Sequence, residues 1–372
     1  MLKVGITGQK GFVGTHLYNT LGLQPEVFET ISFERSFFEN DENLDAFVSK
    51  CDVIVHLAAL NRHNEPEVIY DTNLNLVQLL VASLERTNSK AHVLISSSSQ
   101  EERDNLYGKS KKEGRELLAN WATKAGANFT GLIIPNVFGP FGHPYYNSVV
   151  ATFSHQVANG ETPKIEVDGQ LKLIYVGELV AEIIKVIQNK TNNSKYTVDH
   201  TSEAKVSELL ALLQEYKTTY QEQGQIPAIA STFELNLFNT YRCYMDIATH
   251  FPVKFTQHTD PRGTFVEVIR LGVGGQVSFS TTVPGITRGN HYHTRKIERF
   301  AVIKGKALIQ LRKIGTDEVL DFYLDGNEPS YVDMPIWYTH NIKNIGDEVL
   351  YTNFWINEFF DTNDPDTYFE NV

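Results

Sequence analysis

Val4-Gly5-Ile6-Thr7-Gly8-Gln9-Lys10-Gly11-Phe12-Val13-Gly14 reads as a buried strand, a glycine turn and the opening of a helix. Residues without a Cβ at positions 8, 11 and 14 let the backbone approach a dinucleotide pyrophosphate at the positive end of that helix. A glycine triplet alone is a weak signal, so its surroundings matter. Val53-Ile54-Val55, Val93-Leu94-Ile95 and Leu132-Ile133-Ile134 are further short apolar runs suited to buried parallel strands. Between them, 75–84 and 111–122 carry apolar residues at three- and four-residue steps, as helices packed on a sheet do. The alternation implies right-handed βαβ units and a doubly wound parallel sheet over about the first 190 residues.

A serine run, Ser96 to Ser99, ends one of these strands, and Tyr107-Gly108-Lys109-Ser110-Lys111 follows it. The four-residue step places Tyr107 and Lys111 on one helix face. Carbonyl reduction by a nicotinamide needs three such groups: a Lys that lowers a phenol's pKa and binds ribose, a Tyr that moves a proton at the carbonyl oxygen, and a Ser that holds that oxygen. With His56-Leu57-Ala58-Ala59 and Pro135-Asn136-Val137-Phe138-Gly139-Pro140, these residues resemble the extended short-chain dehydrogenase/reductase family across roughly the first 240 residues. The resemblance implies a Rossmann-type domain in which Tyr107 and Lys111 are catalytic and Ser98 is the third member, with Ser97 its rival. It further implies cofactor binding by Gly8, Lys10, Gly11, Phe12, Gly14, Ala58 and Lys111, and places Asn136 toward substrate. Ile133 departs from the family, which often has Arg three residues before Asn136.

About twenty residues past the glycines stand Glu34 and Arg35. An acid there favours NAD; Arg35, with Lys10 in the glycine turn, neutralises a 2′-phosphate, and the reading adopted is NADPH. His56 reads as a packed strand-end residue rather than a catalyst.

The net charge of −12, with no dense Lys/Arg stripe, argues against nucleic acid and against an anionic membrane surface as partners. No apolar run is long enough to span a bilayer, and the N-terminus opens directly into a strand without a leader pattern. Only Cys51 and Cys243 are present, in no redox or metal spacing, so a reducing cytoplasm is the expected compartment. At 372 residues two domains are expected, with boundaries at 1–250 and 251–372. Val206 to Tyr216 reads as a helix and Gln221 to Pro227 as a turn-rich connector finishing the first domain.

After about 252 the texture is all-β, with strand-like runs at 265–269, 299–303 and 307–311 separated by Gly and Asp turns. Gly285, His291-Tyr292-His293, Glu298 and Gly305 match the first motif of the cupin barrels without a gap, and Pro335 and His340 supply the second. Alternation along a strand points His291 and His293 into one interior, with Glu298 and His340 arriving from neighbouring strands. Three imidazoles and a carboxylate suit Zn²⁺, the metal adopted, although Mn, Fe, Co and Ni accept the same set. Trp337 stands where the second motif commonly has Gly.

Asp260-Pro261-Arg262-Gly263-Thr264-Phe265-Val266-Glu267 resembles a signature of the nucleotide-sugar 3,5-epimerase branch of the cupins, which implies that Arg262 and Glu267 hold substrate. Tyr292, Tyr338 and Lys296 lie near the ligands in sequence, and the proton-abstracting base stays open among them. The union of a reductase and a cupin, with Asn147-Ser148-Val149-Val150-Ala151-Thr152-Phe153 and the tail Pro365-Asp366-Thr367-Tyr368-Phe369, resembles a family of bacterial capsular polysaccharide enzymes over essentially the whole chain. That resemblance implies a UDP-linked 4-keto-6-deoxy amino sugar as partner, with Asn147 among its contacts, and a homodimer through the cupin. It implies C3 epimerisation of UDP-2-acetamido-2,6-dideoxy-L-hexos-4-ulose by the cupin, then NADPH reduction at C4 to the L-talose sugar. Two other readings stay open: a reductase whose cupin is a metal-stabilised dimerisation module, and a non-catalytic sugar-nucleotide binding protein.

Overall fold

The computed structural model describes residues 1–261 and 263–372. Strand β1 (Leu2–Thr7) stops where Gly8 takes φ +76, and helix α1 (Phe12–Gly22) starts with Gly11 as its N-cap. The chain then runs β2 (Phe28–Ile31), α2 (Asp41–Val48), β3 (Val53–His56), α3 (Pro66–Arg86), β4 (His92–Ser98), α4 (Leu106–Ala125) and β5 (Phe129–Ile134). It continues through β6 (Asn136–Phe138), α5 (Val149–Ala158), β7 (Gln170–Tyr175), α6 (Val176–Gln188), β8 (Asn193–Thr197) and β9 (Ser202–Lys205).

Strands β2-β1-β3-β4-β5-β8 form one six-stranded sheet, parallel throughout, as the alternating sequence pattern requires. Because successive side chains point to opposite faces, Val53, Val55 and Leu94 pack against α1 and α6, while Ile54, Val93 and Ile95 pack against α2, α3 and α4. The strand order reverses between β1 and β3, the point at which an open α/β sheet offers a crevice beyond its carboxyl ends. A small sheet, β6-β7-β9, adjoins this order in sequence and carries Asn136.

Two compact units are present, 1–152 with 167–206 and 153–166 with 207–372. The second takes in most of α5 and then, from residue 207, α7 (Val206–Tyr216), a π-helical turn at Lys217–Glu222, α8 (Thr232–Arg242) and α9 (Ile247–His250). Its strands are β10 (Val253–Lys254), β11 (Gln257–Asp260), β12 (Gly263–Val266), β13 (Gln276–Thr282), β14 (Thr287–Tyr292) and β15 (Glu298–Lys304). They are followed by β16 (Lys306–Lys313), β17 (Val319–Asp325), β18 (Ser330–Met334), β19 (Tyr338–Asn344), β20 (Leu350–Ile356) and β21 (Tyr368–Phe369). Two five-stranded antiparallel sheets, β10-β18-β15-β20-β13 and β17-β16-β19-β14-β21, enclose a core of Phe300, Val302, Ile309, Leu311, Val332 and Ile342. The strand expected over 265–269 ends at Val266, inside the separate hairpin of β11 and β12.

The expected boundary at 250 is displaced, because residues 207–250 pack with the β sheets rather than with the parallel sheet. Charge explains it. Arg299 and Asp333 form a buried bidentate pair (2.7 and 2.9 Å), and Tyr220 donates to the same carboxylate (2.8 Å). Arg242 donates to the Tyr220 hydroxyl (3.2 Å) and to the Met334 carbonyl (3.0 Å), while Arg299 reaches the Gly224 carbonyl (3.0 Å). Residues of 207–250 thus complete the hydrogen bonding of a charged pair buried in the β sheets.

Candidate active site and metal centre

In the first unit a cleft of about 1020 Å³ opens at the switch point of the sheet. Gly8, Gly11, Phe12, Gly14 and Ala58 line one part of it, and Ser98, Tyr107, Lys111, Asn136 and Asn147 line another. The glycines are steric necessities: a Cβ at Gly14 would lie 2.2 Å from the Gly8 carbonyl oxygen, and one at Gly8 would lie 2.8 Å from the Ala58 nitrogen. No side chain caps the start of α1, where an anionic group in the cleft would meet the helix's first N–H groups.

Tyr107 opens α4 and Lys111 lies one turn on, its Nζ 5.8 Å from the centre of the Tyr107 ring and donating to the Ser96 carbonyl (3.2 Å). Burial pushes the Lys111 ammonium down to about 8, with Glu101 acting in the opposite sense. Burial also raises the Tyr107 phenol, and a hydrogen bond with Ser98 opposes that rise. The two serines separate by partner. Ser97 is buried and donates to the Glu101 carboxylate, which Arg115 clamps with two 2.8 Å bonds. Ser98 faces the cleft beside Tyr107 and caps the next turn by accepting from Gln100 N–H (3.1 Å). Glu101 was absent from the sequence reading; the available signal was Arg115, which sits four residues after Lys111 on the same helix. Tyr146 and Asn61 also line the cleft, the Tyr146 hydroxyl accepting from Asn61 N–H (3.0 Å). His56 is buried against Thr7 (2.8 Å), and burial drives its imidazole down to about 3.

Lys10 pairs with Glu34 at 3.1 Å, both exposed, and Arg35 opens an exposed short helix. None of the three lines the cleft.

In the second unit His291, His293, Glu298 and His340 bring one ligand atom each to within 4.8 Å of one another. His291 and His340 stand opposite each other on β14 and β19, where a bulge between Gly289 and His291 puts Asn290 at φ +63. Glu298 arrives from β15, in the facing sheet, rather than from a neighbouring strand of the same sheet. Its Oε2 lies 3.1 Å from His293 Nε2, 3.2 Å from His340 Nε2 and 4.0 Å from His291 Nε2. Burial works against its charge, yet the imidazoles of His293 and His340 close beside it outweigh that and hold the carboxyl far below the usual range. Burial takes the His291 imidazole down to about 4, leaving it neutral as a ligand must be. His340 Nε2 is a buried polar atom without a hydrogen-bond partner in good geometry, and three imidazoles with one carboxylate are a donor set a divalent metal satisfies. The residues fit the metal.

Trp337 sits at φ +62, donates its N–H to the His293 carbonyl (2.8 Å) and stands 5.7 Å from the Tyr292 ring. The left-handed backbone there accounts for the glycine usual at that motif position. Lys296 Nζ donates to the Pro365 carbonyl (2.7 Å), and Tyr292 lies between Trp337 and Tyr368 (5.7 and 5.4 Å). Glu267 accepts from Arg270 (3.0 and 2.7 Å) on an exposed segment, and Arg262 lies outside the described residues.

Comparison with known proteins follows this division. Residues 4–198 match the NAD dependent epimerase/dehydratase family, and 258–368 match the polysaccharide biosynthesis C-terminal domain. UDP-2-acetamido-2,6-beta-L-arabino-hexul-4-ose reductase of Pseudomonas aeruginosa is 33% identical over 369 residues, 99% of this chain and 98% of its own. The crystal structure of the capsular polysaccharide assembling protein CapF from Staphylococcus aureus aligns over 100% of both chains with TM-score 0.63 and 35% identity. RMD of Pseudomonas aeruginosa, complexed with NADPH, covers 59% of this chain and 83% of its own at TM-score 0.53 and 19% identity, a likeness of fold. A parallel sheet built around the glycine turn, followed by the antiparallel polysaccharide-biosynthesis domain, therefore makes the chain a CapF-like member of the NAD dependent epimerase/dehydratase family.

Proposed function

We propose that the chain is a bifunctional enzyme that acts on UDP-2-acetamido-2,6-dideoxy-L-hexos-4-ulose, epimerising C3 in the second unit and reducing the C4 ketone in the first to UDP-2-acetamido-2,6-dideoxy-L-talose. The observation that carries the reading is the convergence of Ser98, Tyr107 and Lys111 with the glycine turn on one cleft, in a chain so like a hexul-4-ose reductase along its length. A C4 ketone acidifies the C3 proton, so epimerisation precedes the reduction that removes the carbonyl. When bound, NADPH would supply the hydride, and Zn²⁺ held by the second unit would polarise the C4 carbonyl so that the adjacent C3 proton can leave and return.

The chain's own groups do the rest. Tyr107 gives its phenolic proton to the C4 oxygen, Ser98 holds that oxygen, and Lys111 stabilises the phenolate and grips the ribose. Asn136 and Asn147 bind the sugar along the cleft wall. The turn of Gly8, Lys10, Gly11, Phe12 and Gly14, with Ala58, seats the cofactor, and Arg35 takes the 2′-phosphate. His291, His293, Glu298 and His340 hold the metal. No described helix is long and apolar enough to cross a membrane, in keeping with a cytoplasmic enzyme. Edge strand β13 exposes Val277 at 55% and Phe279 at 70% on one face, which supports a homodimer through the second unit.

That same apolar edge, and a relative named for reduction alone, favour one other reading, in which the second unit is a metal-stabilised dimerisation module. Proton NMR of the keto-sugar nucleotide in D₂O separates the two. Deuterium at C3 before NADPH, then a 4-hydroxy sugar after it, supports the bifunctional enzyme; reduction with no prior exchange leaves the module. Tyr107→Phe should abolish reduction and spare C3 exchange, and loss of both from a folded variant would contradict two separate sites.

A further inference from the structure

We propose that Asp366, in the C-terminal tail, is a positioning residue for the metal centre, holding His293 with its Nε2 turned toward the other three ligands. The inference rests on the metal reading above. His293 Nδ1 lies 2.5 Å from the Asp366 carbonyl oxygen, so Nδ1–H donates there and Nε2, which faces Glu298 Oε2 at 3.1 Å, is the nitrogen left to ligate. The carbonyl is aimed by the same residue's carboxylate. Oδ1 accepts from the Thr294 N–H (3.0 Å) and hydroxyl (2.6 Å), and Oδ2 accepts from the N–H groups of Arg295 and Lys296 (3.0 Å each). One buried carboxylate thus takes four donors from the turn that separates His293 from Glu298, and so holds the segment that joins the two ligands.

The tail is anchored on either side of Asp366. Pro365 accepts from Lys296 Nζ (2.7 Å), and β21 pairs with β14, Tyr368 opposite Tyr292 and Phe369 opposite His291. Asp366 itself sits at φ +39, in the left-handed region that Asp and Asn enter more readily than other side chains. Asn therefore keeps the backbone and one acceptor oxygen, Gly keeps the backbone alone, and Ala keeps neither.

The test is titration of the metal-free full-length protein with Co²⁺, followed by its visible d–d bands, for wild type, D366N, D366G and D366A. Wild type should bind with strong, low-symmetry bands. D366A and D366G should bind about 10–100-fold more weakly, with shifted bands, and D366N should fall between. Thermal unfolding of the metal-free proteins serves as the control. A role in stability alone would lower that transition and leave the Co²⁺ affinity of the folded fraction and its spectrum unchanged, and this result would overturn the inference. If D366A does not fold, D366N and D366G decide it by the same readout. Failure of wild type to bind Co²⁺ or Zn²⁺ would instead overturn the metal reading, and the inference with it.

Discussion

Asp333→Leu removes the carboxylate at the centre of the network that ties 207–250 to the β sheets. Asp333 is 0% and Arg299 2% exposed, and burial alone would raise the Asp333 carboxyl, but Arg299 outweighs it and holds the group charged. Deleting one member of a buried, hydrogen-bonded ion pair costs about 3–5 kcal/mol because the other charge stays buried without a partner. Two features temper that cost here: Arg299 lies 3.7 Å from the centre of the Tyr331 ring, and its Nη1 retains the Gly224 carbonyl (3.0 Å). One feature adds to it, since the buried Tyr220 hydroxyl loses its acceptor (2.8 Å), a loss of about 1–3 kcal/mol where nothing replaces it. A net loss of about 4 kcal/mol is expected, equivalent to a fall of about 8–16 °C in a unit of this size. Trp337 and Trp355 report on the second unit and Trp121 on the first, so calorimetry with tryptophan fluorescence assigns each transition. Only the second should move. The double variant Arg299→Met, Asp333→Leu should recover most of the loss, because two apolar side chains leave no orphaned charge. A loss below about 1 kcal/mol, or a double variant no more stable than the single, would refute the argument.

Gly14→Ala forces a Cβ to within 2.2 Å of the Gly8 carbonyl oxygen, so the turn must open. At about 1–3 kcal/mol for overpacking, NADPH binding should weaken about 10–100-fold by fluorescence titration, and a change under twofold would count against the turn as the pyrophosphate seat. Because Lys111 is charged only below about 8 and NADPH binding is assigned to the charged form, affinity should be flat at lower pH and fall as pH rises beyond it. Lys111→Met should remove that slope, and a wild-type dissociation constant unchanged up to pH 9.5 would sink the assignment. His291→Ala should lose bound metal and C3 exchange while still reducing an already epimerised 4-ketose; full metal content in this variant, by elemental analysis, would show that the ligand set is wrong.

What could be read from the chain without its structure is what rests on near neighbours. A glycine triplet after a strand, Tyr107 and Lys111 one helical turn apart, and an apolar-run rhythm of strand and helix are local consequences of backbone geometry, and all of them reappear in β1, α1 and α4. That His291, His293, Glu298 and His340 would meet was legible for a related reason, their motif spacing, although the bulge at Asn290 and the arrival of Glu298 from the facing sheet were not. Tertiary structure alone decided the questions whose answer lies far along the chain. Ser97 and Ser98 are alike in sequence and differ because Arg115 holds Glu101 beneath one of them. Residues 207–250 read as the end of the first domain until Asp333 and Met334 supply the partners of Tyr220 and Arg242. Asp366 is one letter of a tail motif, with no role legible in it, until its carboxylate meets the turn after His293. A residue's conformational preferences are written in its own stereochemistry, but a buried polar group is defined by whichever distant group satisfies it, and only the folded chain brings the two together.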